Sequence, residues 1–577
     1  MYTNEQNILQ LISLLKAHNI HKVVASPGNT NITFIGSIQN DDDFEIFSCV
    51  DERSAAYLAC GLAEESGEPV VISCTGATAA RNYPSALTEA FYKKLPIVAV
   101  TSSQAFGRVG QLFPQFTDRN NLFNDIATLS VQIPHPYSDE ERWSNNVKLN
   151  NALLQTRRNG GGPVHINIET IFHTDFSVNK LPDERVIRRS HNGDTLPAIS
   201  AKKICIFVGS HKKFDDDVTS LIEIFCDKYN AVVVCDHTSN YKGKYRVLGG
   251  LAAGQTDYCP ECLNSDLMIH LGEISGAYYS LNPTTVWRVS EDGEIRDPFK
   301  KLTHIFEMKE EAFFAFYNNQ KQKTVENTYF DEWKQAQELL KERLPDLPLS
   351  NVWVAQVTSK CLPENAVLHL GILNSLRSWN LFEVSNSIYS YSNVGGFGID
   401  GILSTAVGAS LASKDKIHFC ILGDLATFYD LNVLGNRHLQ NNLRIIMINN
   451  GTGYEMHTSN SIGKTFGDSA ADVYFAAGGH NGNQSRKVLK HFAEDLGLEY
   501  IAIETKEDYM KHIAYITASE GHDKPLFVEV FVKMQDDDFA YEATKKTIVS
   551  SKTAVKDMAK NLLGEKKINS LKNLMRR

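Results

Sequence analysis

Short apolar runs alternate with stretches of helical periodicity along almost the whole chain, and this alternation limits the folds open to it. Runs such as 69–74, 231–235 and 443–448 are rich in Val and Ile and are short for buried helices. Parallel strands need a long crossover, usually a helix, so apolar runs separated by helical segments predict parallel pairing. The sequence therefore predicts an α/β fold of open parallel sheets.

The apolar runs fall into three sets, which predict three α/β domains. A polar linker near 183–198 follows the first set, and two prolines, Pro345 and Pro348, follow the second. A chain of 577 residues has room for roughly three to four domains of ordinary size. The predicted segments are 1–182, 195–345, 350–540 and a basic C-terminal tail at 541–577. The lysine-rich composition of the tail predicts a solvated helix; the alternative is that the tail contacts an acidic partner.

Composition and charge disfavour several classes of protein. The net charge of −10 and the pI near 6.0 argue against a nucleic-acid partner. The apolar residues of segment 1–19 recur at helical spacing, and the segment has no basic start. It is therefore predicted to be a packed helix and not a signal peptide. No apolar run reaches the roughly 18 residues of a membrane span, so no membrane partner is expected. Ten scattered cysteines fit reduced thiols and predict a cytoplasmic location.

Two neighbouring strands of the third set each end in an oxygen-bearing side chain. Asp424 follows the run 417–422, and Asn450 follows the run 443–448. Open α/β sheets bind ligands at the carboxyl ends of their strands, where these side chains can meet. Carboxylate and amide oxygens suit Mg²⁺ shared with substrate phosphates, so the pair predicts a metal-bridged diphosphate. The alternative is that Asp424 caps a helix while Asn449 and Asn450 form a turn.

Several segments together resemble one enzyme family. The Gly-Asp-Leu and Asn-Asn pattern at 423–425 and 449–450 resembles the thiamine diphosphate (ThDP) motif. Five segments of the two outer domains carry a second resemblance: 50–56, 74–96, 163–167, 397–401 and 423–432. Their residues resemble those of the MenD family, whose ThDP-dependent members join the succinyl unit of 2-oxoglutarate to isochorismate in menaquinone biosynthesis. The resemblance implies ThDP-type domains for pyrimidine (PYR) and diphosphate (PP) binding at the two ends.

The resemblance also implies a set of cofactor residues, with ThDP and Mg²⁺ or Mn²⁺ as cofactors. Glu52 would be catalytic: a carboxylate hydrogen-bonded to pyrimidine N1′ favours the imino tautomer that takes the proton from C2. The alternative for Glu52 is that it only begins a helix. Asp424, Asn450 and the carbonyl group of Thr452 would hold the metal, and Ile399 would keep the cofactor bent. The further cofactor-binding positions implied are Asn82, Gly423 and Leu425.

The same resemblance also has implications for assembly and for a second cofactor. In relatives the two halves of the cofactor site come from different subunits, which implies a homodimer or homotetramer with sites between subunits. The middle domain of some relatives holds FAD or a nucleotide. Segment 208–211 offers one glycine where a dinucleotide loop needs several, so no FAD is expected.

The chain departs from the MenD pattern where that family binds acidic substrates through arginines. Thr30, Val394 and Trp379 stand where arginines are expected, and Glu455 replaces an apolar residue. These changes predict a different, less acidic substrate pair. The alternative is that other arginines bind the acidic substrate groups instead, such as Arg81, Arg288, Arg296 or Arg377. The substrate residues implied are Asn29, Thr30, Arg108, Gln115, Ser375, Arg377, Val394, Glu455 and His457.

The leading functional prediction is decarboxylation of a 2-oxo acid with carboligation of the remaining unit to a small-molecule acceptor. One alternative is a decarboxylase that releases an aldehyde, for which His135 and His165 are poorly placed as proton donors. Another is a true menaquinone-pathway synthase. A cofactor-binding protein without turnover is disfavoured, because Glu52, Asp424 and Asn450 are all present.

Overall fold

The predicted α/β class is confirmed, because every set of apolar runs forms parallel strands. The computed structural model describes residues 1–276, 280–321, 325–458, 461–478 and 485–548. From residue 549 onward, the predicted basic tail lies outside the described residues. In the described part of the chain, none of the helices has the length and apolar character to cross a membrane.

The chain divides into two units. One comprises 1–195 and 292–307, and the other comprises 196–291 and the residues from 308 onward. The elements up to residue 195 are α1 (Gln6–Ala17), β1 (Lys22–Ala25), α2 (Ile32–Ile38), β2 (Glu45–Ser48), α3 (Glu52–Ser66), β3 (Val70–Cys74), α4 (Pro84–Lys93), β4 (Ile97–Gln104), β5 (Leu129–Ile133), α5 (Asp139–Gln155), β6 (Val164–Thr170) and β7 (Arg188–His191).

The first sheet has the parallel order β2-β1-β3-β4-β6-β5 and is covered on both faces. Successive residues of β3 point to opposite faces, so Val71 joins one apolar cluster while Val70 and Ile72 join the other. The second cluster includes buried alanines of α3, such as Ala55 and Ala59, whose small side chains let the helix pack closely. Burial on both faces explains why these strands read as continuous apolar runs.

The middle segment supplies a second parallel sheet. Its elements are β8 (Ile204–Val208), α6 (Asp216–Tyr229), β9 (Ala231–Cys235), β10 (Arg246–Leu248), α7 (Gly250–Ala253), β11 (Asn264–Leu271), β12 (Asn282–Ser290), β13 (Leu302–Glu307), α8 (Glu310–Asn318) and α9 (Thr328–Glu342). Five strands of the second unit follow the order β10-β9-β8-β11-β12. Within the first unit, β13 pairs in parallel with β7.

The third segment forms the sheet that carries the predicted metal site. Its elements are α10 (Asn351–Thr358), β14 (Val367–Leu370), α11 (Asn374–Trp379), β15 (Tyr389–Tyr391), α12 (Ile402–Ala412), β16 (His418–Gly423), α13 (Asp424–Asp430), β17 (Leu443–Asn449), α14 (Asp468–Tyr474), α15 (Val488–Asp495), β18 (Glu499–Ile503), α16 (Lys506–Ile516), β19 (Leu526–Phe531) and α17 (Met534–Lys545). The parallel order is β15-β14-β16-β17-β19-β18, so β16 and β17 are neighbours.

Candidate active site

Asp424 lies where the sequence predicts, at the carboxyl end of β16 and beside the end of β17. Gly423 is paired with Ile448 across these strands. The Asp424 carboxylate accepts hydrogen bonds from Leu425 N at 2.7 Å and from Gly451 N at 2.8 Å. Burial raises the pKa of Asp424 to about 7, although both main-chain donors act in the opposite direction. The carboxylate therefore connects the start of α13 with the loop after β17. A helix cap would need only the contact within α13, so capping does not account for the bond from Gly451.

A second buried carboxylate, Asp537 on α17, orients the predicted metal ligand Asn450. Asp537 accepts hydrogen bonds from Asn351 N at 2.7 Å and from Asn450 Nδ2 at 3.1 Å. Burial raises the pKa of Asp537 to about 6, and its charge also raises the pKa of Asp424. Because the amide nitrogen of Asn450 faces Asp537, its oxygen faces away from that carboxylate. The sequence reasoning missed Asp537.

The residues at this sheet edge fit a divalent cation. Asp424 is only 5% exposed and, among the described residues, has no ion-pair partner. A cation held by Asp424, the Asn450 amide oxygen and the main-chain oxygen of Thr452 would compensate this buried charge. An all-oxygen set of ligands suits Mg²⁺ or Mn²⁺.

A cavity of about 140 Å³ opens beside these ligands and contains other predicted cofactor and substrate residues. Ile399, Leu425 and Ser375 line it. Asn351 also lines it, and within the described chain its buried Oδ1 atom has no hydrogen-bond partner. A Cβ atom built on Gly423 would meet nothing within 4 Å, so the main chain there is open to a ligand. An unpartnered amide and an open main chain fit a polar ligand such as ThDP.

His457 supports Thr452 and does not line this cavity. Its Nε2 atom lies 3.1 Å from Thr452 Oγ1 and 2.9 Å from Asp472 Oδ1. The Thr452 hydroxyl also donates to Asp472 at 2.8 Å, and His457 Nδ1 lies 3.4 Å from Asp468 Oδ1. The geometry therefore places His457 behind Thr452, a residue predicted to hold the metal, and its contact with a substrate stays a prediction.

Glu52 lies at the first turn of α3 and is held by a second predicted cofactor residue. Its carboxylate accepts a hydrogen bond from Asn82 Nδ2 at 3.1 Å. The helix cap is supplied by Asp51, whose side chain accepts from Ser54 N at 2.9 Å. Because Asp51 already caps α3, capping does not explain Glu52. Its half-buried carboxylate suits the predicted contact with a pyrimidine nitrogen.

A larger cavity of about 550 Å³ lies in the first unit, beside the loops that follow β1, β3 and β4. The Thr30 hydroxyl donates to Ser102 O at 3.1 Å and lies 2.6 Å from Thr75 Oγ1, so it is used within the protein. The exposed Arg108 guanidinium lies over the ring of Phe113, 5.0 Å from its centre. Four predicted substrate residues line this cavity: Asn29, Thr30, Arg108 and Gln115.

A buried arginine that the sequence analysis did not identify lines the same cavity. Arg119 is 4% exposed, and its Nη2 atom donates to Ser102 O at 3.1 Å. The same oxygen accepts from Thr30. A guanidinium group thus lies beside the position where the family's arginine is replaced by threonine.

The third segment offers little free positive charge at the predicted substrate positions. Arg377 donates to Glu455 Oε2 at 2.6 Å, and both side chains are about a third exposed, at 31% and 30%. Trp379 and Val394, which stand where arginines are expected, are buried. Glu455 therefore neutralises the arginine that the sequence analysis considered as a replacement.

The comparisons with known proteins agree with this geometry. Residues 9–122 match the family model "Thiamine pyrophosphate enzyme, N-terminal TPP binding domain". The 2-succinyl-5-enolpyruvyl-6-hydroxy-3-cyclohexene-1-carboxylate synthase of Phocaeicola vulgatus is 30% identical over 560 residues, covering 93% of this chain and 97% of the relative. The enzyme of the same name from Bacteroides thetaiotaomicron is 30% identical over 569 residues, covering 93% and 98%.

A solved structure described as Rhodococcus jostii RHA1 thiamine diphosphate-dependent 4-hydroxybenzoylformate decarboxylase aligns over 92% of this chain and 99% of that chain. The identity is 17% and the TM-score is 0.40, so the fold assignment rests on the strand orders above.

The matched N-terminal domain and the full-length relatives identify a ThDP-dependent enzyme, and the third-segment site fits this class. Similarity along almost the full length of both chains narrows the class to one group of such enzymes. The chain belongs to the 2-succinyl-5-enolpyruvyl-6-hydroxy-3-cyclohexene-1-carboxylate synthase family, the MenD family predicted from the sequence, whose chemistry is decarboxylation with carboligation.

Proposed function

We propose that this enzyme binds ThDP with Mg²⁺ and decarboxylates a 2-oxo acid, joining the remaining acyl unit to a small-molecule acceptor. We further propose that its substrates are less acidic than 2-oxoglutarate and isochorismate. The observation that carries the second proposal is the Arg377–Glu455 ion pair, because Arg377 lies two residues before Trp379, where an arginine is missing, and its charge is already matched by Glu455. A substrate carboxylate near Arg377 would share the guanidinium with Glu455 and would be repelled by the Glu455 charge.

The residues of this chain would perform three tasks around the cofactor. When bound, ThDP supplies the carbon nucleophile that adds to the 2-oxo group and accepts the electrons released with CO₂. Glu52, held by Asn82, would keep a proton at pyrimidine N1′. Asp424 and Asn450, with the Thr452 carbonyl, would hold the metal and hence the diphosphate. Gly423, Leu425 and Ile399 would shape the cofactor cavity.

We also propose a homodimer or homotetramer in which Glu52 and Asp424 of one site come from different subunits. Apolar side chains that a monomer would leave in water support this proposal. Val50, two residues before Glu52, is 79% exposed, and Tyr92 on α4 is 81% exposed. Tyr57 and Leu58 on α3 are also exposed. Grouped exposed apolar residues are typical of interaction surfaces.

The ten cysteines are free thiols, which supports the cytoplasm as the place of action. The family membership supports small molecules as partners, and the negative net charge disfavours nucleic acid.

A true menaquinone-pathway synthase is the second candidate, favoured by the 30% identity to enzymes of that name. Purified protein with ThDP and Mg²⁺ would be given pyruvate or 2-oxoglutarate, with and without isochorismate, aldehyde or enoate acceptors. CO₂ release and product mass would be followed. A new carbon skeleton that requires an acceptor supports the carboligase, whereas an aldehyde formed without one indicates a simple decarboxylase. Strong preference for 2-oxoglutarate with isochorismate would establish the second candidate.

A further inference from the structure

Arg119 is a buried cation with unused hydrogen-bonding capacity. Its guanidinium makes one hydrogen bond within the described chain, from Nη2 to Ser102 O, and Nη1 has no partner although it is buried. A buried donor without a partner is rare in native proteins, because it gives up its bonds to water. Such a group in a cavity wall points to a ligand that supplies the missing acceptor.

The surroundings of Arg119 supply no counter-charge. Asp118 also lines the cavity, but its Oδ1 atom accepts from Asn120 N, and no described carboxylate forms an ion pair with Arg119. Burial lowers the pKa of Arg119 to about 10, and the nearby charge of Arg81 acts in the same direction. The guanidinium is therefore still positive at neutral pH and lacks an anion.

The position of Arg119 is fixed by hydrogen bonds to the sheet. Its main-chain oxygen accepts from Gln132 Nε2 at 2.9 Å, and Gln132 Oε1 accepts from Asn167 Nδ2 at 2.6 Å. Asn167 Oδ1 in turn accepts from the Ser103 hydroxyl at 2.9 Å. A Cβ atom on Gly76 would come within 2.8 Å of Arg119 Nη2, so glycine there leaves room for the guanidinium. The main chain of Arg119 is thus held by Gln132, while Ser102 O and the space beside Gly76 place the guanidinium, which pre-organises the cation for a ligand.

We propose that Arg119 is the carboxylate-binding residue of the first-unit cavity, where it takes over from the arginine that Thr30 replaces. This proposal rests on the proposed function. It specifies that the substrates, although less acidic than 2-oxoglutarate and isochorismate, still carry one carboxylate. Thr30 and Arg119 share the Ser102 oxygen, so the guanidinium lies beside the position from which the family's arginine is missing. A planar guanidinium matches a carboxylate in two parallel hydrogen bonds.

The two substrate regions therefore differ in charge. The first-unit cavity has an unpaired cation for a carboxylate, whereas the Arg377 cation of the third segment is matched by Glu455. This combination favours a substrate pair with a carboxylate for Arg119 and a neutral or amine-bearing group for the other region. It disfavours substrates that need a free cation in both places.

Binding is tested by thermal unfolding of the full-length protein, without ThDP and Mg²⁺ so that no turnover occurs, and again with both so that the holoenzyme is also measured. The probes are pyruvate, 2-oxoglutarate and the neutral analogue pyruvamide at equal ionic strength. We expect the carboxylates to raise the melting temperature of the wild type and pyruvamide to have no such effect. Arg119→Gln should lose the carboxylate effect, and Arg119→Lys should keep part of it. Arg188→Gln, the same charge change at an exposed site, should behave as the wild type.

Kinetics provide the second measurement. Arg119→Gln should raise the KM of the carboxylate-bearing substrate by roughly 10- to 100-fold, with little change in kcat. Undiminished carboxylate stabilisation in Arg119→Gln, or equal stabilisation by pyruvamide, would overturn the proposal. Carboxylate binding that depends on Arg119 in a protein without ThDP-dependent turnover would instead overturn the proposed function and leave this subsite standing.

Discussion

At the residue scale, the ion pair with Glu455 determines whether Arg377 can bind a substrate carboxylate. The two side chains form an ion pair at 2.6 Å beside the cofactor cavity. Replacing Glu455 by leucine would free the guanidinium for a distal carboxylate. We expect Glu455→Leu to raise the ratio of kcat/KM for 2-oxoglutarate over pyruvate by roughly 3- to 10-fold, a modest gain because solvent screens a partly exposed charge.

The double variant Glu455→Leu/Arg377→Gln is the control for this change. It should lose the gain, because the freed cation is then absent. An equal gain in the double variant would show that added apolar volume, and not the guanidinium, changed the preference.

Glu52 is the residue on which proton handling depends. Glu52→Gln should leave the fold and ThDP binding intact but reduce kcat by roughly 10²- to 10⁴-fold, because an amide cannot share the N1′ proton as a carboxylate does. Steady-state kinetics and calorimetry would separate the two effects. Glu64→Gln makes the same chemical change at an exposed position of α3 and should keep wild-type activity. Near wild-type turnover in Glu52→Gln would remove Glu52 from the mechanism.

Asp424 links cofactor affinity to the metal. Asp424→Ala should abolish the dependence of ThDP binding on Mg²⁺, since the metal would bridge this carboxylate and the diphosphate. Calorimetric titration of ThDP with Mg²⁺ and with EDTA measures the effect. The assignment of the metal site fails if the variant binds ThDP as tightly as the wild type and with the same response to EDTA.

At the scale of the elements, the sequence predicts contacts between neighbouring strands better than contacts between distant segments. Asp424 and Asn450 follow adjacent apolar runs, and parallel pairing brings such ends to one edge. Asp537 lies on α17, 87 positions beyond Asn450, and no spacing rule connects them. Only the folded structure brings Asp537 of α17 to Asn351 and Asn450.

Arg119 could not be predicted for a different reason. It lies in the irregular segment between β4 and β5, where no helical or strand period fixes the direction of a side chain. Its role depends on Gln132 and Ser102, which belong to β5 and β4. Thr30 does remove one cation of the family pattern. The guanidinium of Arg119 comes from a different loop, so the comparison at position 30 does not reveal it.

The strand trio β4, β5 and β6 holds a buried neutral histidine. His165 of β6 has its ring nitrogens 2.8 Å from the hydroxyl oxygens of Thr101 on β4 and Ser130 on β5. Burial lowers the pKa of His165 to about 3, with the Arg119 charge as a smaller cause. The unfolded chain binds this proton near pH 6.5, whereas the folded chain binds it only near pH 3. The contribution of neutral His165 to the free energy of unfolding is therefore fully present above pH 6.5 and is lost as the pH falls toward 3.

We therefore expect His165→Gln to flatten the fall of the unfolding free energy below pH 6.5, by the uptake of at most about one proton. Urea unfolding at several pH values between 4 and 7 measures the slope. A slope equal to that of the wild type would mean that other groups dominate acid sensitivity.

At the scale of the whole molecule, the proposed assembly makes a distinctive prediction about mixed subunits. If each site takes Glu52 from one subunit and Asp424 from another, neither Glu52→Gln nor Asp424→Ala is active alone. A dimer with one subunit of each kind contains one site with both changes and one with neither. Random mixing after mild dissociation should thus restore activity at about a quarter of all sites. Recovery would be measured as kcat per total site, with mixed dimers isolated through two affinity tags.

The matched control mixes Glu52→Gln with Asn82→Ala. Both changes lie in the first unit, and Asn82 donates to Glu52, so every mixed site keeps one defect. Activity in that mixture should stay at the level of the separate variants. If isolated mixed dimers of Glu52→Gln and Asp424→Ala also stay inactive, each site draws both residues from the same chain, and the shared-site proposal is wrong. Recovery in the first mixture alone would place the pyrimidine and diphosphate halves of each site on different subunits, because no folded single chain in that mixture carries both residues.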